Sequence, residues 1–299
     1  MLHNQLIAYI RLLRPKQWTK NLLVFAALLF VGGFSDTHKV VQALLAFAAM
    51  CLASSAVYIV NDFRDRDRDR FHPKKKWRPL AAGDVQPAGA IVLAAIALIG
   101  AIALGAAVNV ASLAIIGAYI ILQVLYNLGL KRVPIADVFC IAIGFVLRAV
   151  LGAAAISVAI SGWLLFCTGA LALLLGFAKR RSEFLTLHEP SETREALAHY
   201  TRTALDALVI VSACAAAMCY GIYCLESETA KKYPGLILTS IFVFYGIARY
   251  LLIVFSEDEG SEPETLLYKD PHILGSVILY IATAALVISG FKLSLIALQ

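Results

Sequence analysis

The sequence predicts an all-α, polytopic membrane protein with nine transmembrane helices, and three observations predict it. Hydrophobic residues make up 61% of the 299 and charged residues only 15%, with a mean hydropathy of +0.79, far more apolar than a water-soluble globular chain. Nine runs are long enough to cross a bilayer that takes about 20 residues per crossing: 18–34, 39–60, 88–107, 111–129, 135–156, 160–178, 204–225, 235–254 and 273–295. Finally, Lys and Arg divide unevenly across this arrangement, 21 on one side against 4 on the other, with Arg148 inside the fifth run.

Because cytoplasmic loops accumulate Lys and Arg, the asymmetry orients each element in turn. The amino terminus, with Arg11, Arg14, Lys16 and Lys20, is expected in the cytoplasm, and the first span leads out to Lys39. The second span returns to a long loop, 61–87, holding eight basic residues between Arg64 and Arg78. Spans three and four join at Val108 to Val110 and lead back to Lys131 and Arg132. Spans five and six join at Ser157 to Ile160 and end at a second long cytoplasmic loop, 179–203, carrying Lys179, Arg180, Arg181, Arg194 and Arg202. Lys231 and Lys232 lie outside, Arg249 and Lys269 inside, and Lys292 outside, so the carboxyl terminus is extracytoplasmic. The expected location is the inner (cytoplasmic) membrane, with the chain 1–299 as a single membrane domain capped by the two long loops. The net charge of +6 follows from this asymmetry, and without a basic-aromatic module it does not indicate nucleic acid. No secretory signal is expected, since the first apolar run begins inside the chain and continues into a multispanning protein. Cys51, Cys140, Cys167, Cys214, Cys219 and Cys224 all fall in predicted spans without a CxxC pair, and read as packing.

Chemistry concentrates where the second span ends, at Asn61-Asp62-Phe63-Arg64-Asp65-Arg66-Asp67-Arg68-Asp69. At about 100° per residue, Asp62, Asp65 and Asp69 fall within roughly 60° of one another around a helix, flanked by Asn61, while Asp67 points away. Three carboxylates converging without a matched basic partner repel one another unless a cation lies between them, and hard oxygen donors select Mg²⁺ or Ca²⁺. The competing reading is a solvated charge run with an Asp62–Arg66 pair at i, i+4. The loop continues through Arg70, His72, Lys74, Lys75, Lys76, Trp77, Arg78, Pro79 and Gly83. A metal held by carboxylates, with cations neutralising the remaining charge, is the usual division at a diphosphate site. Arg78 is the candidate there, whereas Lys74 to Lys76 suit anionic lipid.

Two other segments present cations at the same membrane depth: Tyr126, Asn127, Lys131 and Arg132 after the fourth span, and Lys179, Arg180, Arg181, Ser182 and Glu183 after the sixth. Snorkelling anchors are the plain alternative for both. Arg148 lies some 13 residues into the fifth span, where a charge is expensive and pairs or lines a cavity, and Asp137 precedes it by about three turns. The six histidines form no HxxxH or HExxH pattern, and no GxSxG, Walker A or GxGxxG element or covalent nucleophile is visible.

Asn61-Asp62-x-x-Asp65-x-x-x-Asp69 after the second helix resembles the first aspartate-rich motif of the UbiA superfamily of intramembrane prenyltransferases. The resemblance implies nine helices around a central cavity, with Mg²⁺ and a phosphorylated substrate at a cytoplasmic mouth. The aromatic prenyltransferases of that family carry a second aspartate-rich motif after the sixth helix, but here no Asp occurs between Asp137 and Asp206, and Lys179-Arg180-Arg181-Ser182-Glu183 stands in that place. Together with Arg14-Pro15-Lys16-Gln17-Trp18-Thr19-Lys20-Asn21 and the Asp137 to Arg148 segment, this is similar to the decaprenyl-phosphate phosphoribosyltransferase branch.

The reaction so implied is transfer of 5-phosphoribose from phosphoribosyl diphosphate to a polyprenyl phosphate, releasing diphosphate. Asp62, Asp65 and Asp69, with Asn61, would hold Mg²⁺ and the leaving group. Lys179, Arg180 and Arg78 would hold the ribose 5-phosphate or diphosphate, and Lys20, Lys131 and Arg148 the lipid phosphate or remaining donor oxygens. Tyr126 and Glu183 complete the expected substrate-binding set. The partners implied are the two substrates and the membrane, with arabinose donors downstream where arabinan is made; the chain is a candidate homo-oligomer, its oligomeric state left open by the sequence. Two alternatives stand beside it: a prenyl diphosphate transferase acting on an aromatic or other small acceptor, and a transporter or lipid-binding protein. Against the last, matching broken helices and inverted repeats are not found.

Overall fold

The protein, seen in a computed structural model, is described over residues 2–71, 75–186, 195–256, 266 and 269–289, and every regular element among them is helical. In chain order the α-helices, with the longest 3-10 helix, are α1 (Leu2–Leu12), the 3-10 helix Pro15–Phe25, α2 (Ala26–Val31), α3 (Thr37–Asp69), α4 (Pro79–Ala82), α5 (Pro87–Val108), α6 (Val110–Leu128), α7 (Ala136–Ala155), α8 (Gly162–Thr186), α9 (Arg202–Glu226), α10 (Glu228–Lys232), α11 (Thr239–Ser256) and α12 (Pro271–Ile288), with short 3-10 turns between some of them. Eight helical stretches among the described residues are long and apolar enough to cross a membrane, and the protein is a multi-pass membrane protein. His72, Lys74, His188, Arg194 and Lys292, with the corresponding parts of the two long loops and of the last span, lie outside the described residues.

The region of the first expected span, 18–34, is built differently from the other eight. It is the tight helix Pro15–Phe25 followed by the six-residue α2. The reason is local: Gln17, Thr19, Lys20 and Asn21 interrupt its apolar character, and Asn21 is fully buried with its amide on Cys51 Sγ (3.2 Å) and Ser54 Oγ (3.3 Å) of α3.

The chain forms two compact units. The first, residues 1–29, 33–128 and 147–159, is organised by α3. Asp36 caps it by accepting from the His38 and Lys39 N–H groups, and the Lys39 N–H holds the Asp36 carboxyl below its ordinary range. At 1.5 Å per residue its 33 residues run about 50 Å, against about 30 Å of hydrocarbon, so its last turns project past the apolar stretch and carry the aspartates with them. Small residues decide its packing. Ala46, Ala49 and Ala53 of α3 are buried against the neighbouring core with Ala101 of α5, whose own buried stripe is Ala90, Ala94, Ala97, Ala101 and Gly105. Such stripes let backbones approach closely where lipid supplies no hydrophobic drive between helices. The tightest approach is at Gly152 of α7, where a Cβ would lie 1.9 Å from the Val24 carbonyl oxygen.

The second unit, residues 30–32, 129–146 and 160–299, has its core among α7, α8, α9 and α11: Val138, Leu174, Phe177, Leu205, Val209, Tyr250 and Val254 are buried together. Thr201 caps α9 through the Ala204 N–H. Asp270, followed by Pro271 at the first helical position, caps α12 through the Ile273 N–H. Gly176 of α8 faces Val138 of α7 so closely that a Cβ would stand 2.5 Å from Val138 Cγ1. All six cysteines are free; four are buried and Cys214 is exposed, as packing or lipid-facing residues would be.

Candidate active site

Helix α3 presents one acidic face. Asp62 and Asp69 are buried and Asp65 half-buried, whereas Asp67 is 74% exposed and pairs with Arg66. The solvated-run reading therefore fails at Asp62, whose side chain is 2% exposed and whose partners are not Arg66. One expectation is corrected: the carboxylates are not without matched basic partners. Arg14 Nη2 donates to Asp62 Oδ1 at 2.5 Å, and Arg78 Nη1 donates both to Asp62 Oδ1 at 3.0 Å and to Asp69 Oδ2 at 2.6 Å. The chain dictates this locally. Arg14 precedes Pro15, which disfavours a right-handed helical residue before it, and it adopts a left-handed backbone (φ 55°). Arg78 is the extended residue ahead of Pro79, at the start of α4, with its turn closed by Gly83 (φ 85°).

The two carboxylates fit one hard cation. A single cationic nitrogen, Arg78 Nη1, touches an oxygen of each, so oxygens seven residues apart already converge on one point that is rich in the donor type Mg²⁺ prefers. Among the described residues, no three His, Cys, Asp or Glu side chains form a ready-made metal group, so the set Asn61, Asp62, Asp65 and Asp69 is not assembled as a cage. Asn61 and Asp65 are half-buried beside Asp62 on the same helix.

A second polar cluster of the first unit lies around Arg148. It is buried, donates from Nε to Asn21 Oδ1 at 2.7 Å and from Nη2 to the Tyr119 hydroxyl at 3.1 Å, and stacks over the Tyr119 ring at 4.9 Å. The intramembrane charge is thus held in a hydrogen-bonded and cation–π setting. Lys20, midway along the 3-10 helix Pro15–Phe25, and Tyr126, in the last turn of α6, are half-buried, each with contacts of its own.

The second unit organises the basic segment of α8 in an alternating way. Lys179 is exposed. Arg180, one turn beyond Gly176, donates from Nε to Asp137 Oδ2 at 2.7 Å and from Nη1 to Glu183 Oε2 at 2.5 Å, with the Asp137 and Arg180 side chains 0% and 2% exposed. Arg181 turns elsewhere, to Asp206 (2.6 Å), the Val254 carbonyl (2.8 Å) and the face of Phe255, and ties α8 to its neighbours. Tyr200 completes the group: its hydroxyl donates to Asp137 Oδ1 at 3.3 Å and accepts the Ile135 N–H. Burial pushes this phenol up to about 12, the Ile135 N–H opposing and the Asp137 charge adding, so the phenol keeps the proton it donates. Ile135 itself has a left-handed backbone (φ 68°), rare for a β-branched residue, and belongs to the turn that sets Asp137 at the start of α7. Lys131 is half-buried in the short 3-10 turn Leu130–Arg132, with contacts of its own.

The first unit therefore gathers Asp62, Asp69 and Arg78, and the second gathers Arg180 and Glu183. Sequence reasoning left Arg14, Asp137 and Tyr200 out of the candidate set. Arg14 had a signal, a cation fixed ahead of a proline at the membrane edge; Tyr200 had none, being one aromatic in a polar loop.

Comparison with known proteins follows the same lines. A model of the UbiA prenyltransferase family matches residues 22–269. The chain is 36% identical over 268 residues to decaprenyl-phosphate phosphoribosyltransferase of Corynebacterium glutamicum, covering 86% of this chain and 80% of that one. It is 32% identical over 291 residues to the protein of the same name from Mycobacterium tuberculosis, covering 94% of each. A solved UbiA homolog from Archaeoglobus fulgidus, bound to GPP and Mg²⁺, has the same fold at a TM-score of 0.71 and 21% identity, covering 94% of this chain and 99% of that one.

Proposed function

Since the chain belongs to the UbiA prenyltransferase family, we propose that it transfers 5-phosphoribose from phosphoribosyl diphosphate to a polyprenyl phosphate, with release of diphosphate. The observation that carries this reading is the Lys179-to-Glu183 segment, basic and anchored through Arg180, in a chain similar along most of its length to decaprenyl-phosphate phosphoribosyltransferases. A donor bearing a 5-phosphate as well as a diphosphate needs more fixed positive charge than a prenyl diphosphate does.

Asp62, Asp65 and Asp69, with Asn61, would hold the metal at the leaving diphosphate. When bound, Mg²⁺ supplies Lewis-acid neutralisation of the departing diphosphate. Arg78, which touches Asp62 and Asp69, and Arg14, which touches Asp62, would meet diphosphate oxygens. Lys179 and Arg180 hold the ribose 5-phosphate or diphosphate, with Glu183 and Asp137 fixing the Arg180 guanidinium. Lys20, Lys131 and Arg148, with Tyr126, serve the lipid phosphate or remaining donor oxygens. The acceptor is already an anion, so no general base is required, and an oxocarbenium-like ribosyl transition state is favoured by prompt neutralisation of the leaving group. The whole chain acts as one membrane domain, the family match running through both units. The Lys and Arg asymmetry supports an inner-membrane protein with a cytoplasmic amino terminus and site.

The test is to incubate the purified protein in detergent with Mg²⁺, phosphoribosyl diphosphate and a polyprenyl phosphate, and to look for the lipid-linked phosphoribose by mass spectrometry. Product that disappears on chelation is the expected result. No product, with consumption of a prenyl diphosphate and an aromatic acid instead, would replace this reading with the prenyltransferase one.

A further inference from the structure

Within the first unit, α3, α5 and α6 enclose an apolar groove of about 450 Å³ that has no part in the proposed reaction. Its walls are apolar and mostly aliphatic, among them Val60 and Phe63 of α3, Ile91 and Leu98 of α5, and Val124 of α6. Val60, Ile91 and Val124 are each about half exposed, so the groove opens sideways, toward where lipid lies around a multi-pass protein. Its two polar lining residues, Arg64 and Asn127, sit at the carboxyl ends of the apolar parts of α3 and α6, and hence at one end of the groove. Among the described residues, neither side chain has an ion-pair or hydrogen-bond partner, whereas the nearby cations Arg66 and Arg70 pair with Asp67.

We propose that this groove binds an anionic phospholipid of the surrounding bilayer, its phosphate on Arg64 and the Asn127 amide and one acyl chain in the groove. The dimensions suit that occupant. From Arg64 back to Ala56 is eight residues, about 12 Å of helix, the depth of the head-proximal half of one acyl chain. A cation at the head level with aliphatic walls below matches a charged amphiphile better than a neutral one, and each such cation favours an anionic headgroup by a few-fold. The site is not a reaction position for the polyprenyl phosphate. Arg64 is two residues beyond Asp62, about 200° around α3, so a phosphate on it faces away from the Asp62 and Asp69 carboxylates. The groove would hold this lipid whatever reaction the protein catalyses.

The test is native mass spectrometry of the full chain released from nanodiscs of equimolar phosphatidylglycerol and phosphatidylcholine. The wild type is expected to retain one phosphatidylglycerol in preference to phosphatidylcholine. Arg64→Gln should lower that preference about fivefold, while Arg66→Gln, whose charge is already paired, should leave it unchanged. Ala95→Phe, at an exposed groove-lining alanine, should abolish retention without altering helicity, since it fills the groove rather than a packed core. Equal retention of the two lipids by the wild type, or undiminished phosphatidylglycerol on Arg64→Gln or Ala95→Phe, would overturn the proposal. Stoichiometric displacement of the phospholipid by added polyprenyl phosphate would also overturn it, assigning the groove to the acceptor.

Discussion

Replacing Asp137 with Ala leaves the guanidinium of Arg180 inside the second unit without its buried partner. Both side chains are almost wholly inaccessible, the pair is made at 2.7 Å, and Tyr200 satisfies the other carboxylate oxygen, so little water compensates for the loss. Glu183, 27% exposed, is a carboxylate that still reaches Arg180. Breaking one side of a buried pair costs about 3–5 kcal/mol, chiefly because an uncompensated charge stays buried, and the remaining Glu183 contact puts this loss at the lower end. At roughly 2–4 °C per kcal/mol for a chain somewhat smaller than this one, that is a fall of about 10 °C in apparent Tm. The measurement is thermal unfolding in detergent at a fixed scan rate, with Asp137→Ala, Arg180→Met and the double variant forming a cycle. Because an apolar pair of similar volume in place of a buried ion pair is often neutral, the double variant should recover most of the loss. An Asp137→Ala protein within about 1 kcal/mol of wild type, or a double variant no better than it, would refute the idea that Arg180 depends on this partner.

Other outcomes follow from the same geometry. Asp65→Asn should lower turnover roughly 100-fold and raise the Mg²⁺ needed for half-maximal rate, since one carboxylate of a small hard-cation site is lost; a metal titration of initial rates checks both. Gly152→Ala drives a methyl group into the Val24 carbonyl, and backbone there cannot rotate aside, so a loss of about 1–3 kcal/mol is expected in denaturant unfolding, against almost none for Gly117→Ala, where space is open. The Arg249 guanidinium, 2.7 Å from Asp270, holds that carboxyl below its ordinary range, and the Ile273 N–H adds to it. A depressed pKa contributes stability above the unfolded value, near 3.9, that is lost as pH falls through the folded one. Asp270→Asn should therefore be less stable than wild type at pH 7, with the gap closing below about pH 4, as unfolding at several pH values would record.

What the sequence determined by itself was whatever depends on local periodicity and composition. Twenty-residue apolar runs have no environment other than a bilayer, so the multi-pass all-α class was legible, as was the acidic face of α3, because helical geometry alone aligns positions 62, 65 and 69. The caps at Asp36, Thr201 and Asp270 are local chemistry of the same sort. Only the tertiary structure decided which cation meets which carboxylate. Arg14 and Arg78 reach Asp62 from 48 and 16 residues away, Arg180 finds Asp137 across 43 residues, and Arg181, its neighbour, faces Asp206 instead. Side chains one residue apart on a helix diverge by about 100°, so identical residue types in one basic run acquire different roles. Glycine and alanine stripes set the helix spacing that makes each pairing possible, as at Gly176 beneath Arg180 and Gly152 against Val24. Such close approaches depend on what the partner backbone presents, which a single chain read in order does not reveal.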